Sequence, residues 1–298
     1  MARGESGVDS PTEATSGRRL AGHEFVLSEF VPPPFAITQV GLVTGIGFAR
    51  LTAPEVDDFG ERSGTASFSV GALEQIASFR VAPSPYFGLR ATAAGIALIG
   101  TDVDSALTFG ASAGYDLSGG ALATAASGRV RLSGSFDVGL NRSYRFNLVD
   151  AIVNSVNEGK INRSTLLVST KTTWISPGLH FAVALHDAVG VWASIGYRHE
   201  FTRTDDTKSS DGSLKVGGAL SVDFNPVTPL PVGLLGTYAV TIPFADDAQK
   251  VHELTAGFLY TGRSNLLVGP EGRMTLSSLA PGVDLTAYEA IFGLRYFW

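Results

Sequence analysis

The side chains that could do chemistry in this chain are few. There is no cysteine among its 298 residues, which removes disulfides, thiol catalysis and cysteine-bound metal. A serine hydrolase would need a base and an orienting group beside its nucleophile. The candidate bases are His180, His186, His199 and His252. No serine motif adjoins them, and there is no G-x-S-x-G, no H-E-x-x-H and no phosphate-cradling loop. His180 and His186 share a strand face but sit six residues apart. At a rise of about 3.3 Å per residue, that is too far for one ion. No catalytic residue, metal site or cofactor is therefore assigned, and no enzyme is expected.

The other chemistry-bearing residues are charges that recur on one parity of alternating stretches. Arg90, Arg129, Arg131, Arg198, Lys215, Arg273 and Arg295 form the cationic set. Asp116, Asp137, Glu200, Asp223, Glu253, Glu271 and Glu289 form the anionic set. Each sits opposite apolar residues, as Arg131, Ser133, Ser135 and Asp137 do against Val130, Leu132, Phe136 and Val138. Period two is the strand signature, with one greasy and one polar face. Charges of both signs on an enclosed face either pair across strands or line a wet pore.

Composition agrees with hidden alternation. Charged residues make up only 17% of the chain, glycine numbers 35, and the net charge is −6. Mean hydropathy is slightly positive, yet no apolar run is long enough for a spanning helix. The acidic balance and the lack of a basic stripe argue against nucleic-acid binding. Met1 to Leu20 is polar, without the apolar centre of the signal peptide that an exported barrel needs.

The closing stretch gives the pattern its clearest form. Tyr288, Ala290, Phe292, Leu294, Tyr296 and Trp298 share one face; Glu289, Ile291, Gly293, Arg295 and Phe297 share the other. Here the chain resembles the bacterial outer-membrane β-barrel proteins, whose last strand ends in an aromatic residue. The resemblance is to a broad class. It implies an outer-membrane location in a Gram-negative bacterium, contact with outer-membrane lipid, and recognition of the last strand by the barrel-assembly machinery. Tyr288, Phe292, Leu294, Tyr296, Phe297 and Trp298 are the expected girdle and assembly signal. Oligomeric state is not specified.

The expected fold class is all-β, a closed antiparallel transmembrane barrel of about 12 strands, with 10 to 14 admitted. Residues 36–298 form the barrel and residues 1–35 a disordered or extended tail. Within that tail, the Phe- and Pro-rich stretch 25–35 reads as a linker closing the periplasmic end, with a lumen plug as the alternative. Strands are expected near 37–51, 65–81, 86–99, 105–117, 127–141, 164–187, 189–202, 213–224, 232–242, 251–260, 264–275 and 288–298. A bulge near 73–76 would reconcile Phe68, Val70 and Ala72 with Phe79 and Val81. Pro177-Gly178 interrupts the sixth strand. Turns are expected at 118–124 and 261–263, and loops at 54–64, 142–162, 203–212 and 276–285. A short amphipathic helix is expected over 148–158. Small inward residues, including Gly41, Gly45, Gly47 and Gly88, would leave lumen space.

The function implied is passage of small solutes through a polar lumen. The alternatives are a sealed structural or adhesive barrel whose loops bind partners, and a lipid-modifying hydrolase at the rim through His199 or His252.

Overall fold

A computed structural model describes residues 17–56, 62–101, 111–146, 167–204, 207–245, 249–280 and 283–298. Two short strands, β1 (Arg19–Leu20) and β2 (His23–Glu24), pair as a minimal hairpin. The others are β3 (Gln39–Val56), β4 (Arg62–Ser84), β5 (Phe87–Gly100), β6 (Ala111–Ser127), β7 (Val130–Phe146) and β8 (Leu167–His186). They continue with β9 (Val189–Arg203), β10 (Lys208–Asp223), β11 (Val232–Pro243), β12 (Val251–Arg263), β13 (Leu266–Ala280) and β14 (Val283–Phe297). β3 to β14 form one closed antiparallel barrel of twelve strands. The last strand seals it against the first, with Tyr288 opposite Phe48 and Tyr296 opposite Val40. Closure leaves no sheet edge, the condition for strands to cross a membrane.

Alternation sets inside and outside. Ile46, Phe48, Leu132, Phe136, Phe258 and Phe292 project outward and are exposed. Their strand neighbours point into the lumen. A continuous apolar exterior of this kind is a lipid-facing band, not a soluble surface. Phe79, Tyr296 and Trp298 cluster outside at the end with the short turns, where Tyr296 stacks on Trp298. Bacterial barrels carry short turns on the periplasmic side, which orients this one.

Several boundaries differ from expectation. β4 carries no bulge at 73–76. Its register with β3 is continuous from Arg80 to Gly64, so Leu73 and Phe79 face out while Phe68, Val70 and Ala72 share the inward parity. The small-residue run 118–124 is not a turn but the middle of β6; the chain reverses after Ser127, where Gly128 takes a φ of 56°. Gly120 is small because the lumen is crowded there: a Cβ on it would strike the Asp137 carboxylate. β6 therefore runs further than expected, and Tyr115 lies opposite Arg142 near the loop end, not in the periplasmic girdle. Residues 261–263 belong to β12, and of the loop expected at 276–285, residues 276–280 belong to β13 and residues 283–285 to β14. Pro177 does not break β8, since Phe136 and Ser135 pair with Pro177 and Gly178. The helix expected over 148–158 lies outside the described residues, as do residues 105–110 of the fourth expected strand.

The N-terminal segment departs most. Arg18 to Glu24, expected as a disordered tail, is ordered around the hairpin. Phe25 to Ile37 lies inside the barrel as the plug that was the second choice, not as a linker below it. Phe25, Val26, Leu27, Val31 and Ile37 are buried against Ala182, Ala184, Trp192, Leu235, Leu259 and Leu267 of the inner wall. Each large apolar side chain so buried is worth about 1.5–3 kcal/mol. The three prolines 32–34 suit a segment that takes no part in the ladder.

Candidate functional site

The lumen has a floor and a chamber. The floor is the plug, held by polar contacts from strands all around the wall. The Val26 amide donates to Ser221 Oγ at 2.8 Å, and His23 Nε2 meets the same hydroxyl at 3.0 Å. His23 Nδ1 is 3.1 Å from the Asp187 carbonyl oxygen. The Asp187 carbonyl only accepts, so Nδ1 carries a proton, and the Ser221 hydroxyl has its own proton to offer Nε2 of a neutral ring. Burial lowers the pKa of His23, which favours that state, although the nearby Asp187 carbonyl pulls the other way. Trp192 Nε1 donates to the Val31 carbonyl at 3.3 Å, and Ser133 Oγ to that of Pro34 at 2.7 Å.

One carboxylate ties the plug to two walls. Glu29 receives Arg80 Nη2 at 2.7 Å, Gln39 Nε2 at 3.0 Å and Ser78 Oγ at 3.2 Å. Arg295 Nε lies 3.5 Å away, while its Nη2 donates to Glu271 at 2.7 Å. Burial alone would raise the pKa of Glu29, but Arg80 and Arg295 with these hydrogen bonds hold it below the usual carboxylate range. Beside it, Arg273 pairs with Glu74 and Glu289 and lies over the Phe30 ring, 4.6 Å from its centroid.

Above this floor is a chamber of about 580 Å³ within the barrel. Its lining includes Arg90, Asp137, Arg198, Glu200, Lys215 and Glu253. Arg90 grips Asp137 with two nitrogens, Nε at 2.6 Å. Lys215 meets Glu253 at 2.6 Å, and Arg198 meets Glu200 at 2.6 Å. Arg198 also lies over Trp174, 4.2 Å from its ring centroid, and the Trp174 indole donates to Asp116 at 3.2 Å. His180 Nε2 is 2.8 Å from Ser135 Oγ across the β7–β8 pair. Each charged lining side chain has an opposite partner, so the chamber is polar with balanced charge.

The thirteen expected lumen residues therefore divide. Arg90, Asp137, Arg198, Glu200, Lys215 and Glu253 line the chamber. Glu271, Arg273, Glu289 and Arg295 surround the plug as ion pairs. Asp223 is buried at the floor's lower edge, where Thr261 Oγ1 donates to it at 2.7 Å. Arg131 lies over Phe35 of the plug, 4.9 Å from its centroid. Arg129 is not in the lumen: it sits in the turn between β6 and β7 and donates to the Leu185 carbonyl at 3.0 Å. Phe297 is not in the outer girdle, because its parity turns it inward, where the Arg18 guanidinium lies 4.8 Å from its ring centroid. Tyr288, Phe292, Leu294, Tyr296 and Trp298 do face outward. The glycine space is filled: a Gly41 Cβ would lie 2.5 Å from Ser78 Oγ and 3.2 Å from the Glu29 carboxylate, and Ala36 lies 3.4 Å from the Cβ position of Gly88. His199 and His252 face outward and are bonded to Tyr197 and Tyr238 at 3.1 and 2.7 Å. Sequence reasoning missed Glu29, Arg80 and Glu74. The signal for Glu29 was a single carboxylate inside the apolar run Phe25-Val-Leu-Ser-Glu-Phe-Val31, which can be buried only with cations around it.

No protein-family model matches the chain, and no curated protein does. Solved structures do match. An outer membrane channel from Pseudomonas putida F1 is similar with a TM-score of 0.53 and 11% identity, over 92% of this chain and 100% of that one. The translocator domain of autotransporter NalP from Neisseria meningitidis gives 0.48 and 11%, over 88% and 89%. The Pseudomonas putida toluene transporter TodX gives 0.43 and 10%, over 97% and 98%. At such identities the likeness is one of fold. The chain has the fold of a bacterial outer-membrane β-barrel.

Proposed function

We propose that this barrel is an outer-membrane channel for small polar solutes, gated by its own N-terminal segment. The observation that carries the proposal is the charge-balanced chamber of about 580 Å³ floored by the plug. A barrel built only as a scaffold gains nothing from keeping paired charges around an open space; apolar filling would be as stable or more so. Paired walls give little field for selecting ions, so net-neutral or zwitterionic solutes suit the chamber best. The floor is held noncovalently and contributes no strand to the barrel, so it can leave without unfolding the wall.

A second reading is a permanently sealed structural barrel. It is favoured by the depth of the plug, whose Phe25 and Val26 are fully buried. Liposome swelling separates the two. Proteoliposomes of the full chain should admit small neutral sugars and amino acids slowly, and a barrel lacking residues 18–37 should admit them fast. If the shortened barrel assembles and still excludes these solutes, the channel proposal is wrong.

A further inference from the structure

Four cations form a row on the outside of the barrel. In β7, β8, β9 and β10, Arg142 pairs with Lys171, Lys171 with Arg203, and Arg203 with Lys208 in direct cross-strand register. All four have the outward parity and are exposed. With strands about 4.8 Å apart, the row spans about 14 Å. It lies at the loop end, immediately above the lipid-facing band. Two residues down β9 comes Phe201, and four residues down β7 and β8 come Val138 and Ile175, all exposed apolar side chains.

Like charges directly opposite one another destabilise a sheet. Inside the lumen Arg80 also lies directly opposite Arg90, but each is paired with a carboxylate, Glu29 and Asp137; Arg198, Lys215, Arg273 and Arg295 have carboxylate partners too. Among the described residues, none of the four rim cations has one. Arg142 is held instead by Ser169 Oγ at 3.3 Å and lies over Tyr144, 5.1 Å from its centroid. Asp205 and Asp206, between Arg203 and Lys208, lie outside the described residues. Among the described residues, the outward cation of β3 is Arg50 alone.

We propose that Arg142, Lys171, Arg203 and Lys208 form a docking site for the phosphate groups of an outer-leaflet lipid headgroup. The position selects that occupant. A row at the boundary between apolar belt and water holds a headgroup in place while Phe201, Val138 and Ile175 contact its chains. Guanidinium groups bind phosphate through two nitrogens, and the lysines add point charges.

The test uses the whole barrel in phosphatidylcholine nanodiscs doped with lipid A or with its dephosphorylated form, read by native mass spectrometry. The full chain should retain lipid A in preference to the dephosphorylated form. Each basic group near an anionic lipid surface is worth about fivefold in binding, so replacing all four with Gln should cut retention by roughly several hundredfold. Arg50→Gln should leave it unchanged. If the fourfold variant does not assemble, the pairs Arg142→Gln with Lys171→Gln and Arg203→Gln with Lys208→Gln should each give an intermediate loss. Unchanged retention in the substituted barrels overturns the proposal. So does equal retention of dephosphorylated lipid, or displacement of lipid A by free pyrophosphate at matched concentration, which would mark a soluble-anion site.

Discussion

The two halves of this lumen are built from the same alternating strands and solve opposite problems. In the periplasmic half, small and apolar inward residues, Ala182, Ala184, Ala219, Leu235 and Leu259, leave a space that the plug fills, and charges such as Glu271 and Arg295 are buried around it. In the other half, long charged residues pair with one another around the chamber. A barrel of this size is too wide for wall side chains to fill alone. The difference teaches that filling requires a segment from elsewhere, and that where none is supplied the wall turns its charges on itself.

Removing the plug should break the contrast most strongly. Deletion of residues 18–37 should turn a barrel with rare current into one with steady conductance in planar bilayers. Next comes Glu29→Ala. It leaves Arg80 and Arg295 with a vacated partner, and breaking a buried pair costs about 3–5 kcal/mol. Hydrogen exchange should show the amides of residues 25–37 losing protection while β3 to β14 keep theirs. A smaller effect is expected for Ser221→Ala, which strips the Val26 amide and His23 of their shared partner at about 1–3 kcal/mol. The same exchange measurement should place it below Glu29→Ala.

Acid should loosen the floor through the same carboxylate. The pKa of Glu29 is depressed by the fold, so its stabilisation is complete above the ordinary carboxylate range. It is lost only as pH falls through the lowered value. Open probability of the full chain should therefore be flat near neutrality and rise only in strong acid, and Glu29→Gln should abolish that rise. The smallest change belongs to the chamber wall. Lys215 and Glu253 are partly exposed, and such pairs contribute about 1 kcal/mol or less. Lys215→Gln should leave barrel stability unchanged and shift the reversal potential of the plug-deleted channel toward cations.

The wall was legible in the sequence because its signal is local. The alternation from Val130 to Leu140 and from Tyr288 to Trp298 needs only neighbouring residues, and it yields strands, inside, outside and count. Strand ends were less legible, because the glycines and alanines of 118–124 resemble a turn, and the reason Gly120 is small, the Asp137 side chain, lies on the neighbouring strand. The plug was ambiguous for a related cause. It packs on a concave wall with no repeating geometry, so no period marks it; only Glu29, stranded among apolar residues, hinted at buried partners. The rim row was invisible. Arg142, Lys171, Arg203 and Lys208 are scattered along the chain and meet only through register.

The chain's lack of cysteine allows a direct test of the plug as gate. A Cβ at Gly217 would lie 3.3 Å from the Val31 methyl groups, so Val31→Cys with Gly217→Cys should lock the plug to β10 when oxidised. Single-barrel conductance should be followed in one bilayer before and after reductant. A plug that is the channel's floor predicts silence while the disulfide holds and openings under voltage once it is reduced. Steady current through the oxidised barrel, or silence in both states, would contradict it.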